Sequence, residues 1–365
     1  MVLTQKSYQI DEDINTSFTD TGAPPNSKDY TTIVIIHGMG FGAACFERLQ
    51  SQARSSRSNL RIVVLSRRGY PGSTPFSASE LEALQVRDDG NEALAQEFHD
   101  DLGRHLWLFL RKFIEEEGVP PVRSGRGGIV VMGWSLGVAF PMAAFSNPDS
   151  VGDSRAYQLL ERYVKGLMIY DPSYTTLGYS IPSNIDASNL YVPWMDPDAQ
   201  TPQGVFDKFL LWVCSQYRYE YADGNLSPTA KSFTQTGTLK RTKECFADLL
   251  SKNELEKLTY PQATFPGRGD MSLFAHQPIL NKAAHKVLFD THIAKTFFPN
   301  LSITYLYPPR SPWMCVLAYM ETKRIYEETS GVIRPIKFVE LEEADHFMHY
   351  TDPKGFLRSI EGVLV

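Results

Sequence analysis

Short apolar runs rich in β-branched residues alternate with longer helical patterns along most of the 365-residue chain. The runs are Thr31–Ile36, Arg61–Leu65, Gly128–Met132, Gly166–Tyr170, Leu301–Tyr307 and Ile333–Glu340. Most are apolar at nearly every position, which is typical of parallel strands buried on both faces. Amphipathic stretches such as 91–117 and 311–330 have the spacing of helices. The alternation predicts an α/β fold, a mostly parallel sheet covered on both faces, with residues 1–30 adding an antiparallel edge.

The composition is that of a globular protein and argues against several classes of partner. Hydrophobic residues make up 42% of the chain, and 36 basic against 42 acidic residues give a net charge of −6, which is not the basic excess of a nucleic-acid binder. No apolar run is long enough to cross a membrane, and the first residues lack the pattern of a secretory signal, so we expect a cytoplasmic protein. The cysteines are far apart, which predicts free thiols rather than a disulfide framework or a zinc site; they are Cys45, Cys214, Cys245 and Cys315.

The regular alternation stops after Tyr170. Residues 173–281 contain helical fragments and Pro/Gly-rich joints but no clear β-branched run. A segment of that length is too long for a loop. We therefore predict a mainly helical cap at 173–281, inserted between two parts of one core at 1–172 and 282–365. Aromatic residues are dense at its start, with ten in residues 174–221.

The motif Gly133-Trp-Ser-Leu-Gly137 follows a predicted strand and precedes a helical stretch of small residues. Glycines on either side of a serine permit a sharp strand-to-helix turn that exposes the hydroxyl above a helix N-terminus. The motif predicts that Ser135 is a nucleophile. A nucleophilic serine requires an oxyanion hole, and Ile36-His-Gly-Met-Gly40 forms a second glycine turn at a strand end. We assign the donors to the N–H groups of Met39 and Leu136, with Gly40 as an alternative to Met39.

The general base is predicted to be His346, which lies in a short loop after the last strand and follows Ser135 in the chain. An acid must accept the Nδ1–H of that histidine. No Asp or Glu occurs between Ser302 and Met320, after the seventh strand, whereas Asp171 ends the preceding strand. Asp171 is therefore the predicted acid. Three carboxylates close to the histidine are its rivals: Glu342, Glu343 and Asp345.

These motifs together resemble the α/β-hydrolase superfamily, and the resemblance extends from His37-Gly38 to His346. The stretch Ser66-Arg-Arg-Gly-Tyr-Pro-Gly-Ser-Thr74 resembles a loop of its lid-bearing branch, and uncharacterised fungal members look similar. The resemblance implies a doubly wound, mostly parallel eight-stranded sheet, a cap after the sixth strand and a Ser-His-acid triad. The chain departs from the family pattern by lacking an acid after the seventh strand. Epoxide hydrolases and haloalkane dehalogenases of this fold carry Asp as nucleophile, so Ser135 argues against both.

We therefore expect a serine hydrolase that acts on a carboxylic ester, lactone or thioester, without a metal or another cofactor. The aromatic cap suggests a bulky apolar or aromatic small molecule as substrate. Candidate pocket residues are Trp134, Tyr174, Trp194, Phe206 and Trp212. Two alternatives stay open: the same triad could serve C–C cleavage, lyase, cyclisation or condensation chemistry in fungal-type secondary metabolism, or the chain could be a non-catalytic binder. The sequence leaves the oligomeric state undetermined.

Overall fold

The structure, a computed structural model, describes residues 4–56, 58–85, 92–221 and 228–364. Eight strands form one sheet. In chain order they are β1 (Thr4–Gln9), β2 (Asn15–Asp20), β3 (Thr31–Ile36), β4 (Leu60–Leu65), β5 (Ile129–Trp134), β6 (Val164–Tyr170), β7 (Ser302–Tyr307) and β8 (Ile336–Glu340).

The sheet has the strand order β1-β2-β4-β3-β5-β6-β7-β8. The pairs β1–β2 and β2–β4 are antiparallel, and every later pair is parallel. Every residue of β3, β4 and β5 is buried, as expected for strands that helices cover on both faces. The α/β fold, the mostly parallel sheet and its antiparallel edge are thus confirmed. Because the parallel strands run in one direction, their carboxyl ends meet at one edge, where open α/β sheets bind ligands.

Fourteen α-helices are found among the described residues. They are α1 (Glu47–Ser55), α2 (Ala78–Ala83), α3 (Glu92–Glu117), α4 (Ala139–Ser146), α5 (Ser154–Tyr163), α6 (Pro202–Val213), α7 (Ala230–Gly237), α8 (Lys252–Leu258), α9 (Gly269–Leu273), α10 (Gln277–Phe289), α11 (Thr291–Thr296), α12 (Trp313–Glu328), α13 (Met348–Thr351) and α14 (Pro353–Leu364). None of the helices in this described part of the chain is long and apolar enough to cross a membrane.

Prolines set two boundaries that differ slightly from the sequence expectation. The last strand was expected from Ile333, but β8 begins at Ile336 because Pro335 lacks the N–H that pairing requires. The helix expected over 311–330 begins at Trp313, directly after Pro312, whose fixed φ suits the residue before a first turn. The helix expected over 91–117 is α3, and Asn91 lies outside the described residues.

The segment between β6 and β7 is helical, with α6 to α11 and short 3₁₀ turns but no strand among its described residues. The insertion expected after the sixth strand is therefore present. Its predicted end at residue 281 falls inside α10, which begins at Gln277. We propose placing this domain boundary before Gln277, since a boundary is better placed in a loop than within a helix.

Candidate active site

Ser135 lies at the carboxyl end of β5, in a strand-to-helix turn with left-handed backbone geometry. Its φ is +54°, a value that non-glycine residues rarely adopt. The two flanking glycines make the turn possible. A Cβ on Gly133 would lie 2.5 Å from Val138 Cα, and one on Gly137 would lie 2.2 Å from the Ile36 carbonyl oxygen. No side chain fits at either position, so the motif packs the turn tightly against β3 while Ser135 stays partly accessible.

His346 and Asp171 form a buried pair beside this turn. Their Nδ1 and Oδ2 atoms are 2.6 Å apart, although the residues are 175 positions apart in the chain. Asp171 follows β6 directly, has a φ of +48° and is fully buried. Burial raises the pKa of its carboxyl group, while the hydrogen bonds from His346 and Ser311 act in the opposite direction. The pair has the arrangement of a base whose tautomer is fixed by an acid.

Ser311 is a site residue that sequence reasoning missed. It lies in the loop after β7, fully buried, and its hydroxyl donates to Asp171 Oδ2 at 2.5 Å. The Asp171 Oδ1 atom has no hydrogen-bond partner among the described residues. Ser311 thus occupies the strand end at which the family pattern would place an acid. The signal was available, since β6 and β7 are neighbours and their ends share one edge.

The three rival carboxylates face other partners or solvent. Asp345 is buried, but its carboxylate accepts hydrogen bonds from the Gln216 side chain and the Phe347 N–H, both at 2.8 Å. Glu343 forms an ion pair with Arg310. Glu342 is exposed. Of the four candidates, Asp171 is the one whose carboxylate the structure places on the His346 ring.

Trp134 joins the turn that carries Ser135 to the loop that carries His346, here called the histidine loop. Its indole Nε1–H donates to the His346 carbonyl oxygen at 3.1 Å, and the two rings are 5.0 Å apart. It also packs edge-on against Phe46 and His349. Trp134, which was predicted to line the pocket, is 1% exposed, and its hydrogen bond and ring contacts lie between the Ser135 turn and the histidine loop. No hydrogen bond between Ser135 and His346 is found within the described residues; such bonds are often long without a bound ligand.

The predicted oxyanion turn lies against Ser135. A Cβ on Gly38 would be 2.9 Å from Ser135 Cβ and 3.4 Å from its Oγ, so the glycine permits this close approach. The Met39 N–H has no hydrogen-bond partner in the described part of the chain. Leu136 is in the first turn of the 3₁₀ helix Ser135–Val138, where N–H groups lack an intrahelical acceptor. Leu136 thus follows Ser135 directly in the chain, and Met39 follows the glycine that packs on Ser135.

Gly40 does not suit the alternative role that the sequence suggested. Its N–H donates to the Tyr70 hydroxyl at 2.7 Å and lies 3.3 Å from Asp270 Oδ2. The prediction of Gly40 as a substitute donor is therefore wrong for this conformation, because its only N–H already has partners. A tyrosine 30 positions away could not be foreseen from the local glycine pattern.

The sequence of the chain was compared with models of known families and with curated proteins. A family model described as the alpha/beta hydrolase family matches residues 33–359. The chain belongs to the alpha/beta hydrolase family. A comparison with curated proteins found no match.

Solved structures share the fold of this alpha/beta hydrolase at low sequence identity. Epoxide hydrolase I of potato, Solanum tuberosum, has a TM-score of 0.56 and 12% identity, over 100% of this chain and 99% of that chain. A laboratory-evolved variant of the potato enzyme has a TM-score of 0.54 and 13% identity, over 100% and 99%. Cfl2 from Burkholderia cenocepacia has a TM-score of 0.54 and 12% identity, over 100% and 96%. These similarities establish the shared fold.

Four aromatic residues predicted to line the pocket of this alpha/beta hydrolase lie in the segment between β6 and β7. Phe206, on α6, is placed next to the oxyanion turn, since a Cβ on Gly40 would be 3.0 Å from its ring. Trp212, on the same helix, is buried, and its Nε1 has no partner among the described residues. Tyr174 stacks on Trp313, and Trp194 stacks on Phe274; both are only partly buried.

Asp171, Cys315 and His346 bring three potential metal-binding atoms within 4.8 Å of one another. The donor set does not favour a metal here. His346 Nδ1 and Asp171 Oδ2 are hydrogen-bonded to each other, and an ion between them would need to displace that proton. Burial raises the pKa of the Cys315 thiol well above its usual range, which disfavours the thiolate that binds metals.

Proposed function

We propose that this alpha/beta hydrolase is a serine hydrolase that cleaves a carboxylic ester, lactone or thioester through an acyl-enzyme on Ser135. The observation that carries the proposal is the buried His346–Asp171 hydrogen bond at the strand edge where the strained turn presents Ser135. The three proposed residues follow three different strands: Ser135 follows β5, Asp171 follows β6 and His346 lies in the loop after β8. Cofactors are not required for this chemistry.

In the proposed reaction His346 acts as general base. Its Nδ1–H is held by Asp171, so Nε2 is the nitrogen free to take the proton of Ser135 as Oγ attacks the carbonyl carbon. The proton then passes to the departing alcohol or thiol, which leaves the acyl group on Ser135. Water, deprotonated by the same Nε2, attacks the acyl carbon and releases the acid. The buried carboxylate stabilises the imidazolium that forms in each step.

The negative oxygen of both tetrahedral intermediates is proposed to lie between the N–H groups of Met39 and Leu136. Neither group needs to break a bond in order to donate, which is the requirement for a preorganised oxyanion hole. Removing one such donor from an enzyme costs about 10²-fold to 10³-fold in rate.

A serine nucleophile also separates this proposal from epoxide opening, despite the shared fold with the potato enzyme. Attack of a serine oxygen on an epoxide would leave an alkyl ether, which water and a general base do not cleave. Attack on a carbonyl leaves an ester, which they do cleave. Ser135 therefore supports acyl transfer rather than epoxide hydrolysis.

The substrate is proposed to be a bulky apolar or aromatic acyl compound. Phe206 and Phe209 of α6 approach Gly40 of the oxyanion turn, so apolar rings bound the space above the nucleophile. A cleft of about 960 Å³ lies elsewhere, between residues 178–185, α10 and α12. Because it is lined by neither Ser135 nor His346, we do not assign the substrate to it.

A panel of p-nitrophenyl esters of increasing acyl length tests the proposal. We expect turnover that rises with acyl length and that is lost in Ser135→Ala. Ser146→Ala is the matched control, since that hydroxyl donates to the Ala143 carbonyl within α4 and has no other partner among the described residues. Folded wild-type protein that hydrolyses no ester, lactone or thioester of the panel would contradict the proposal.

A further inference from the structure

A buried polar cluster joins the predicted oxyanion turn to the segment between β6 and β7. It consists of Arg67 and Tyr70, in the loop after β4, and Asp270, in α9, each at most 3% exposed. Arg67 Nη2 lies 2.9 Å from Asp270 Oδ1, and the Tyr70 hydroxyl donates to Asp270 Oδ2. We call these three residues the anchor cluster.

The anchor cluster holds both ends of the turn Gly38–Gly40. Arg67 Nη2 donates to the Gly38 carbonyl oxygen at 2.8 Å, and His37 Nδ1, 3.0 Å away, donates to the same oxygen. The His37 proton is placed on Nδ1 because Nε2 accepts the Arg67 N–H at 3.1 Å. At the other end, the Gly40 N–H donates to the Tyr70 hydroxyl at 2.7 Å.

These bonds determine the direction of the Met39 N–H. The C=O and N–H of a trans peptide point in opposite directions. Because the Gly38 C=O is directed at Arg67 and His37, the Met39 N–H of the same peptide is directed away from them. The bond of Gly40 to Tyr70 fixes the next peptide in the same way. A rotation of the first peptide would turn a carbonyl oxygen toward the oxyanion site and remove its donor.

We propose that Asp270 is a positioning residue of the oxyanion site, and that it acts through Tyr70 and Arg67. The segment between β6 and β7 then has a second task besides covering the pocket: it supplies the carboxylate that keeps the Met39 N–H in its donating orientation. The oxyanion site is complete only while α9 is seated against the loop after β4. This inference rests on the proposed function.

Charge and burial explain why Asp270 is required at this place. Arg67 is buried between the rings of Tyr70 and Phe140, at 4.8 and 5.2 Å from their centroids, and its charge needs a partner there. Asp270 is that partner, and its other oxygen accepts the Tyr70 proton. The Tyr70 oxygen can then accept from the Gly40 N–H at 2.7 Å and from Arg67 Nη2 at 3.2 Å. One carboxylate therefore orients both side chains that hold the turn.

Tyr70→Phe is the principal test, because it removes the hydroxyl and leaves the Arg67–Asp270 ion pair intact. We expect kcat for the best ester to fall about tenfold, less than the loss of a whole oxyanion donor, with KM within about twofold. The affinity for an alkyl boronic acid, which forms a tetrahedral adduct on a serine, is expected to fall by the same factor as kcat. If Tyr70 had a purely structural role, the substitution would lower Tm or raise KM, and kcat and boronic acid affinity would not fall by the same factor. In the folded fraction of the Asp270→Asn protein, we likewise expect kcat and boronic acid affinity to fall together while KM changes little.

Tyr191→Phe is the matched control. Its hydroxyl also donates to a buried carboxylate, Asp196 Oδ2 at 2.7 Å, but neither residue touches the oxyanion turn. Hydrogen exchange gives a readout that does not depend on catalysis: the Gly40 amide should exchange about fivefold faster in Tyr70→Phe and at the wild-type rate in Tyr191→Phe.

The inference is overturned if folded Tyr70→Phe keeps wild-type kcat, boronate affinity and Gly40 exchange, or if Tyr191→Phe loses as much kcat. A wild-type protein that neither turns over esters nor binds the boronic acid would instead refute the proposed function. Gly40 exchange would still report whether the anchor cluster holds the turn, so the two failures are distinguishable.

Discussion

Replacing Asp171 by asparagine tests the proposed triad at its least expected member. The substitution keeps the shape of the side chain and removes its charge. Asp171 Oδ2 accepts from both His346 Nδ1 at 2.6 Å and Ser311 Oγ at 2.5 Å, while Oδ1 has no partner among the described residues. An amide NH₂ facing His346 would force the ring proton onto Nε2, the nitrogen that must accept the Ser135 proton. The loss of the proper tautomer in a Ser-His-Asp enzyme costs about 10⁴-fold, or about 5.4 kcal/mol of activation free energy.

Stability should respond differently, because the carboxylate of Asp171 is desolvated. Burial raises its pKa in the folded state above the unfolded value. Its contribution to stability is therefore fully present below the unfolded pKa and is lost as the pH rises through the folded pKa. Asparagine does not titrate, so the difference between the Tm of Asp171→Asn and the Tm of the wild type should become more positive from pH 4 to pH 8. The amide nitrogen in the place of Oδ2 cannot accept the Ser311 hydroxyl, and a lost buried hydrogen bond costs about 1–3 kcal/mol in the opposite direction, so we expect the two Tm values at pH 7 to agree within a few degrees.

The assay is kcat/KM for the best p-nitrophenyl ester, with thermal unfolding measured across the same pH range. Asp345→Asn is the matched control: it changes a buried carboxylate that lies next to His346 in the chain and bonds to Gln216 and the Phe347 N–H instead of the ring. We expect it to lose less than about tenfold. Asp171→Asn with activity within tenfold of wild type at every pH would refute Asp171 as the acid.

Three further substitutions give expectations of different size. Ser311→Ala removes one of the two hydrogen bonds to Asp171 Oδ2 and should lower kcat about tenfold with little change in KM; an unchanged kcat would show that the bond does not position the acid. Gly38→Ala would place a Cβ 2.9 Å from Ser135 Cβ. We therefore expect kcat to fall at least about 10²-fold in protein that has a normal circular dichroism spectrum. Full activity would mean that the turn is not packed on Ser135. Phe206→Ala should shift the preferred acyl length, because the ring is next to the predicted oxyanion turn, and should lower Tm, because the ring is only 3% exposed. A lower Tm with an unchanged acyl preference would show that Phe206 serves packing alone.

The parts of the fold that the sequence predicted are those encoded by local patterns. Continuous apolar runs predicted the six parallel strands to within a few residues, because strands buried on both faces tolerate few polar side chains. The glycines flanking Ser135 predicted a turn whose tightness explains them, since a Cβ at either position would meet backbone atoms. The predicted end of the insertion, at residue 281, was less accurate, because it falls inside α10, which begins at Gln277. Hydrophobic periodicity indicates a helix but does not show whether that helix belongs to the insertion or to the core.

The parts that the sequence did not predict depend on contacts between distant residues. The Tyr70 hydroxyl meets Asp270 across 200 positions, and Ser311 meets Asp171 across 140. No local pattern encodes such pairs, and both change the hydrogen bonding of the candidate site: Tyr70 accepts the Gly40 N–H, and Ser311 donates to the Asp171 carboxylate. The surroundings of Trp134 were also not foreseen, because an aromatic residue beside Ser135 can face the pocket or the core. Its hydrogen bond to the His346 carbonyl places it in the core.

The most direct test of the central claim is covalent labelling with a fluorophosphonate, followed by peptide mass mapping. Phosphonylation requires a serine activated by a base and an oxyanion site that accepts the phosphoryl oxygen, so the reaction reports the whole assembly at once. We predict one modified residue, Ser135, with labelling lost in Ser135→Ala, strongly slowed in His346→Ala and retained in Ser146→Ala. Folded wild-type protein that stays unlabelled, or that is labelled at another serine, would contradict the account.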